Sequence, residues 1–271
     1  MVASACLALS MINFLIWIQK RLQWAHLLFS LAAIATAGMA FYELWMMRAE
    51  TVGEYGMALR WGHVPYSVLI VSLVDFVRLY LRAGRPWLAW TVCGTRTLAL
   101  VLNFIFSPNI NYREITVLRH IRILGESISV AEGIPNPWML IGQVGLLLFL
   151  VFLVDVMLTM WRRGERRPML ILISAMVFFV AGSTGLFMLA FWGVIHPPLM
   201  PSLFFLGVVA VMAREMGWEI IRAGQLADDL RLSEAALKNS KKDLRKLLGR
   251  MIAAQEEELR WLAPQGTSVS N

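Results

Sequence analysis

Three ionisable side chains sit deep inside apolar runs of this sequence: Asp75, Arg96 and Asp155. A charge at bilayer depth is costly, so such residues are functional suspects by default. At about 1.5 Å per helical residue, Asp75 and Asp155 lie about 10 Å from the ends that flanking charges assign to the cytoplasm, and Arg96 about 15 Å. That similar depth predicts an acid–base–acid cluster. Arg78, one turn from Asp75, would join it or snorkel to the surface. The cluster reads equally as an ion-pair latch between helices or as a signalling element. Ion or proton transport is the weaker reading, because no broken-helix pair or inverted repeat is visible.

Glu43 and His63 fall near the outer ends of their apolar runs. They are candidates to line a ligand pocket, beside the plainer reading of a hydrogen-bonded interhelical histidine. Metal binding by the pair is a further reading, but without a third partner the signal is weak, and no metal or cofactor is predicted. His26, His120 and His196 have no motif spacing. Phosphate-cradling glycine loops, nucleophile elbows and paired catalytic carboxylates are absent, so no catalytic residue is predicted.

The elements that must position these residues follow from composition. Of 271 residues 58% are hydrophobic and only 16% charged, against about 45–50% and about 25% in soluble domains. The mean hydropathy is +0.63. The net charge of +7 is small and interleaved with apolar runs, which argues against nucleic acid as a partner and for the lipid bilayer. Cys6 and Cys93 both lie in apolar runs, so no disulfide framework is expected.

Seven stretches approach the roughly 20 apolar residues that a spanning helix needs: Val2–Ile18, Gln23–Trp45, Leu59–Leu81, Trp87–Phe106, Trp138–Trp161, Met169–Trp192 and Leu199–Met216. The first lacks the basic amino-terminal flank of a signal peptide and reads as a retained span. The seventh is the weakest, with Pro197, Pro198 and Pro201 crowding its start. Lys20-Arg21, Arg82 with Arg85, and Arg162, Arg163, Arg166 and Arg167 occupy alternate short loops. The intervening loops mix signs. Basic bias marks the cytoplasmic side, which predicts an outside amino terminus and a cytoplasmic carboxyl terminus. Trp17, Trp24, Trp45, Trp61, Trp87, Trp138, Trp161 and Trp192 fit an interfacial belt.

The predicted fold class is thus an all-α integral membrane protein, with a seven-helix sensor domain over residues 1–216. Its segment 107–137 is expected outside. Short alternations there (Ile115–Leu118, Ile121–Leu124, Ile128–Val130) suggest small strands or a packed lid, against the plainer reading of a solvated linker. Residues 217–263 carry Leu230, Leu237, Leu244 and Met251 at sevenfold spacing, a dimer seam, while Ser233 and Ser240 interrupt its companion. A phase shift from Leu248 reads as a stutter in a coiled coil. A lone amphipathic helix on the membrane surface is the alternative. Residues 264–271 are expected to be disordered.

Two sets of residues carry a resemblance. "LRKLLGRMIAAQEEELRWLA" resembles the opening helix of the dimerisation and phosphotransfer domain in bacterial sensor histidine kinases paired with LuxR-type regulators. "ELWMMRAET", "VRLYLRAGRPWLAW", "NYREIT", "LGES", "VAEGIPNPWM" and "LADDLRLSEA" resemble the membrane sensor region of such kinases. The resemblance spans roughly residues 3–263. It implies signal input, a homodimer or mixed dimer with related sensor kinases, phosphorelay output and a bacterial inner-membrane location. In that family an Arg-Glu-Leu/Ile-His-Asp sequence follows the helix. Here Ala263 precedes Pro264-Gln265-Gly266. The expectation is a chain inactive alone as a kinase, reaching a response regulator only through a missing kinase core. A small-solute transporter or channel is the rival function.

Overall fold

A computed structural model describes residues 2–19, 24–123, 126–164, 168–194 and 200–262. Among these the chain order is α1 (Val2–Gln19), α2 (Trp24–Arg48), α3 (Val52–Leu81), α4 (Pro86–Ile105), β1 (Tyr112–Ile123), β2 (Glu126–Pro135), α5 (Met139–Arg163), α6 (Pro168–Phe191) and α7 (Pro201–Leu262). Six helices, α1 to α6, are long and apolar enough to cross a membrane, which is the pattern of a multi-pass membrane protein. Exposed leucine, phenylalanine and tryptophan side chains along them suit a lipid solvent. Trp24, Trp87, Trp138, Trp161 and Trp192 are all exposed at or near helix ends, where their amphipathic rings suit the headgroup zone.

The expected seventh span is not among those six. In α7 the uncharged stretch runs only from Pro201 to Ala213 before Arg214 and Glu215. At about 1.5 Å per residue that covers roughly 20 Å, less than the roughly 30 Å hydrocarbon core. Leu199, with Pro197 and Pro198, lies outside the described residues. So do Lys20, Arg21, Arg166 and Arg167 of the basic loops, His196, and the tail 264–271.

Helix α3 begins seven residues earlier than expected, at Val52. Thr51 is its N-cap and accepts the Glu54 N–H at 3.2 Å, while the Glu54 carboxylate accepts the Glu50 N–H at 3.0 Å. The first bond satisfies an amide that a helix start otherwise leaves open, and the second ties the residue before the cap to the first turn.

The chain is mainly helical rather than all helical. Within the segment 107–137, β1 and β2 form an antiparallel hairpin, in register from Tyr112 opposite Pro135 to Ile123 opposite Glu126. Its irregularity at Tyr112–Val117 brings the Glu114 and Ile115 backbone against Gly133, where a Cβ would overlap it. Tyr112, Ile115 and Ala131 pack with Met46, Ala49, Tyr55, Ala58, Leu59 and Met139 in one buried cluster. The Ser129 hydroxyl donates to the Ala49 carbonyl at 2.7 Å. The segment is therefore a packed cap, as its apolar content suggested, and burial pushes the Tyr112 phenol above its ordinary range.

In hydrocarbon, helices gain little from apolar burial and associate through close packing and hydrogen bonds. Ser10 and Ser30 hydroxyls meet at 2.7 Å, and His26 Nδ1 meets Asn13 Oδ1 at 2.9 Å, joining α1 to α2. Gly182 lies under Phe204, and Gly207 lies against the Phe179 ring, so α6 and α7 exchange small and aromatic residues. Between α3 and α4, Arg82 (φ 47°) and Gly84 (φ 94°) turn the chain. A Cβ at Gly84 would come within 2.7 Å of Phe152 and 2.9 Å of Val156.

The chain divides into two compact units, residues 1–215 and 216–271. The first holds α1 to α6, the hairpin and the start of α7. In the second, α7 continues with Leu226, Leu230, Leu237, Leu244, Leu247, Leu248, Met251 and Ile252 all exposed.

Candidate ligand pocket

Three helices of the first unit turn a helically spaced set of side chains toward one cavity. Helix α2 contributes Met39, Tyr42, Glu43 and Met46, α3 contributes Leu59, Gly62, His63 and Tyr66, and α5 contributes Met139, Gly142, Gln143 and Leu146. Each set has the i, i+3, i+4, i+7 spacing of one helix face. Arg96 and Ala99 enter from α4, Phe187 and Met188 from α6, and Pro201 from the start of α7. Ile110 and Asn111 close it below the hairpin. Met46, Leu59 and Met139 belong both to this lining and to the cluster that seats the hairpin. The cavity volume is about 80 Å³.

Glu43 is 5% exposed. Its Oε1 accepts the Ser202 backbone N–H at 2.7 Å, and its Oε2 accepts the Ser202 hydroxyl proton. The carboxylate thus caps α7 from another helix, filling an amide position that has no intrahelical partner and placing an acidic group at the positive end of the helix dipole. His63 donates Nδ1–H to the Leu59 carbonyl at 2.8 Å. Its Nε2 accepts from Asn111 Nδ2 at 3.3 Å. This pattern fixes the Nδ1–H tautomer. Glu43 and His63 do share a pocket, and His63 is also the hydrogen-bonded interhelical histidine of the plainer reading.

Arg96 is 3% exposed, with its guanidinium 4.2 Å from the centroid of the Tyr66 ring, a cation–π distance. Its Nε and Nη2 have no hydrogen-bond partner among the described residues; nor do Tyr66 Oη and Gln143 Nε2.

The expected cluster of Asp75, Arg96 and Asp155 is not assembled. Asp155 Oδ1 lies 3.4 Å from Arg85 Nε, and its Oδ2 accepts the Arg85 backbone N–H at 3.1 Å. Arg163 Nη1 donates to the Arg82 carbonyl at 2.9 Å beside it. Asp155 is therefore an ion-pair latch, holding the α3–α4 turn onto α5, but its partner is Arg85. Asp75 and Arg78 lie close enough to Cys93 to act on it electrostatically, and neither lines the cavity. Depth from the span ends placed these residues, but depth says nothing of rotation about the helix axis. Arg96 turns toward Tyr66, which lies nine residues, about 13 Å, from Asp75 along α3.

Tyr42, Tyr66, Asn111, Gln143 and Ser202 are site residues that the sequence reading missed. The signal for three of them was present: Tyr42, Tyr66 and Gln143 are polar positions on otherwise apolar helix faces. Ser202 carried none, since its partner is 159 residues away. Among the described residues no group of three His, Cys, Asp or Glu side chains could hold a metal ion. Comparison with known protein families, curated proteins and solved structures finds no match to this chain.

Proposed function

We propose that this chain is the signal-input module of a bacterial inner-membrane receptor, resembling those of two-component sensor histidine kinases. A stimulus in the cavity biases α7, which passes the change to a paired cytoplasmic helix. The observation that carries this reading is the Glu43 carboxylate, which lines the cavity and at the same time caps α7. A group placed so that occupancy and helix position share it can bias a two-state equilibrium, provided the ligand binds the two states unequally.

In this reading the first turns of α7 form a short seventh span, the amino terminus is outside and the carboxyl terminus is cytoplasmic. The unevenly signed residues around Glu50 and Glu114 then face outward with the hairpin. Leu230, Leu237, Leu244 and Met251 form the seam of a parallel coiled coil with a second copy, or with a related sensor kinase. Their exposure at sevenfold spacing supports this. Contact with a response regulator requires a kinase core.

The rival reading, a small-solute transporter or channel, takes support from the same cavity inside the helical bundle. Single cysteines at Leu237, Lys241 and Leu244, oxidised in native membranes, decide between them together with solute flux in reconstituted vesicles. The receptor reading expects efficient cross-linking at Leu237 and Leu244, poor cross-linking at Lys241 and no flux. Equal cross-linking at all three positions with solute flux would establish the rival.

A further inference from the structure

We infer that the cavity takes a small monocarboxylate, with its anionic head on Arg96 and its apolar tail among the methionine side chains. This rests on the receptor reading for its consequence, but not for its chemistry. A guanidinium 3% exposed inside a helical bundle needs a counter-charge or hydrogen-bond acceptors to offset its desolvation. The carboxylate in the lining, Glu43, is directed instead at Ser202, from which both of its oxygens accept. The Tyr66 ring face supplies a cation–π contact but no acceptor in the guanidinium plane.

Every unpartnered polar atom in the lining can donate, and among them only Tyr66 Oη can also accept. Arg96 Nε and Nη2, Gln143 Nε2 and Tyr66 Oη each carry a proton and have no partner among the described residues. Four donors on three converging side chains match a group that only accepts, with two oxygens in one plane, as Arg-carboxylate recognition requires. An amine would meet repulsion from Arg96 and find, among the unpartnered atoms, only Tyr66 Oη to receive its protons. An alcohol would satisfy one donor at most by each lone pair and would bring no charge.

Size limits the rest of the ligand. At about 10–15 Å³ for each water-sized group, a cavity of about 80 Å³ holds roughly five to eight such groups. After the three heavy atoms of the carboxylate this leaves roughly two to five carbons, a short chain. Met39, Met46, Met139 and Met188 offer it an apolar and adaptable wall. A long acyl chain from the bilayer does not fit this volume, so the source is a free short acid rather than a lipid.

Purified full-length protein in phosphatidylcholine nanodiscs, titrated calorimetrically with hexanoate, hexanol, hexylamine and oleate, tests the assignment. Hexanoate should bind at least about tenfold more tightly than hexanol or hexylamine, the gap expected of one charge-assisted pair, and oleate should not compete. Arg96→Gln should remove that preference, and Gln143→Leu should weaken hexanoate about fivefold while leaving hexanol unchanged. Should Arg96→Gln fail to fold, as judged by its thermal unfolding, Gln143→Leu decides alone. Hexanoate binding no tighter than hexanol, equal binding by oleate, or folded variants that bind like the parent would overturn the assignment. Hexanoate binding that leaves cross-linking at Leu237→Cys unchanged would instead count against the receptor reading and leave the ligand class standing.

Discussion

The Glu43 carboxylate on α2 accepts the backbone N–H of Ser202, the second residue of α7, at 2.7 Å. A second bond comes from the Ser202 hydroxyl. Hydrogen bonds to a charged, buried acceptor contribute about 1.5–3 kcal/mol each. Glu43→Ala should therefore destabilise the protein by about 2–4 kcal/mol, and Ser202→Ala, which keeps the backbone bond, by about half as much. Unfolding in detergent by heat or dodecyl sulfate reads both. Equal stability of parent and Glu43→Ala would remove the cap from the account.

The Arg85–Asp155 pair is exposed on its arginine side, so its coupling is small, about 0.5–1 kcal/mol. A double-mutant cycle with Arg85→Ala and Asp155→Ala should show that coupling. The parallel cycle with Arg96→Ala should be additive within about 0.3–0.5 kcal/mol. A larger coupling in the Arg96 cycle would restore the acid–base–acid cluster.

Gly84 has φ 94° and leaves no room for a Cβ beside Phe152 and Val156. Gly84→Ala should cost roughly 2–4 kcal/mol, combining left-handed strain with overpacking. Gly164, at φ 77° with open space around it, isolates the first contribution. Gly164→Ala should cost about 1–2 kcal/mol. Equal losses at the two sites would show that the approach to Phe152 is unimportant.

Orientation is tested by cysteine labelling in intact cells. Glu50→Cys and Arg119→Cys should react with an impermeant maleimide from outside, and Gly164→Cys only after permeabilisation. Labelling of Gly164→Cys in intact cells would reverse the assigned topology.

Much of this fold was legible because apolar runs and helix length are the same fact in a bilayer. The spans α1, α2 and α4 to α6 begin and end within a few residues of their apolar runs. The early start of α3 was hidden by Gly53, Glu54 and Gly56, which break the apolar pattern, although Thr51 and Glu54 carry the spacing of a capping box. The hairpin showed itself as alternation at Ile115 and Ile128, but its pairing depends on contacts with Ala49 and Met139 that no local pattern encodes. Of the site, Glu43 and His63 were legible as polar residues near the ends of their apolar runs. Arg96 was recognised as important but assigned the wrong neighbours, since one residue of rotation turns a side chain by about 100°. Arg85 was read for its charge and not for its reach, and Ser202 was invisible to any local rule.

The account turns on coupling between the cavity and α7, and disulfide cross-linking in native membranes reads it most directly. The ratio of cross-linking at Leu237→Cys to that at Lys241→Cys should be compared in the parent, Glu43→Gln and Glu43→Ala backgrounds. The account predicts a change of about fivefold or more with Glu43→Ala, the lower range of allosteric coupling, and an intermediate change with Glu43→Gln, which keeps one acceptor oxygen. The same ratio in all three backgrounds, in protein that remains folded, would contradict it.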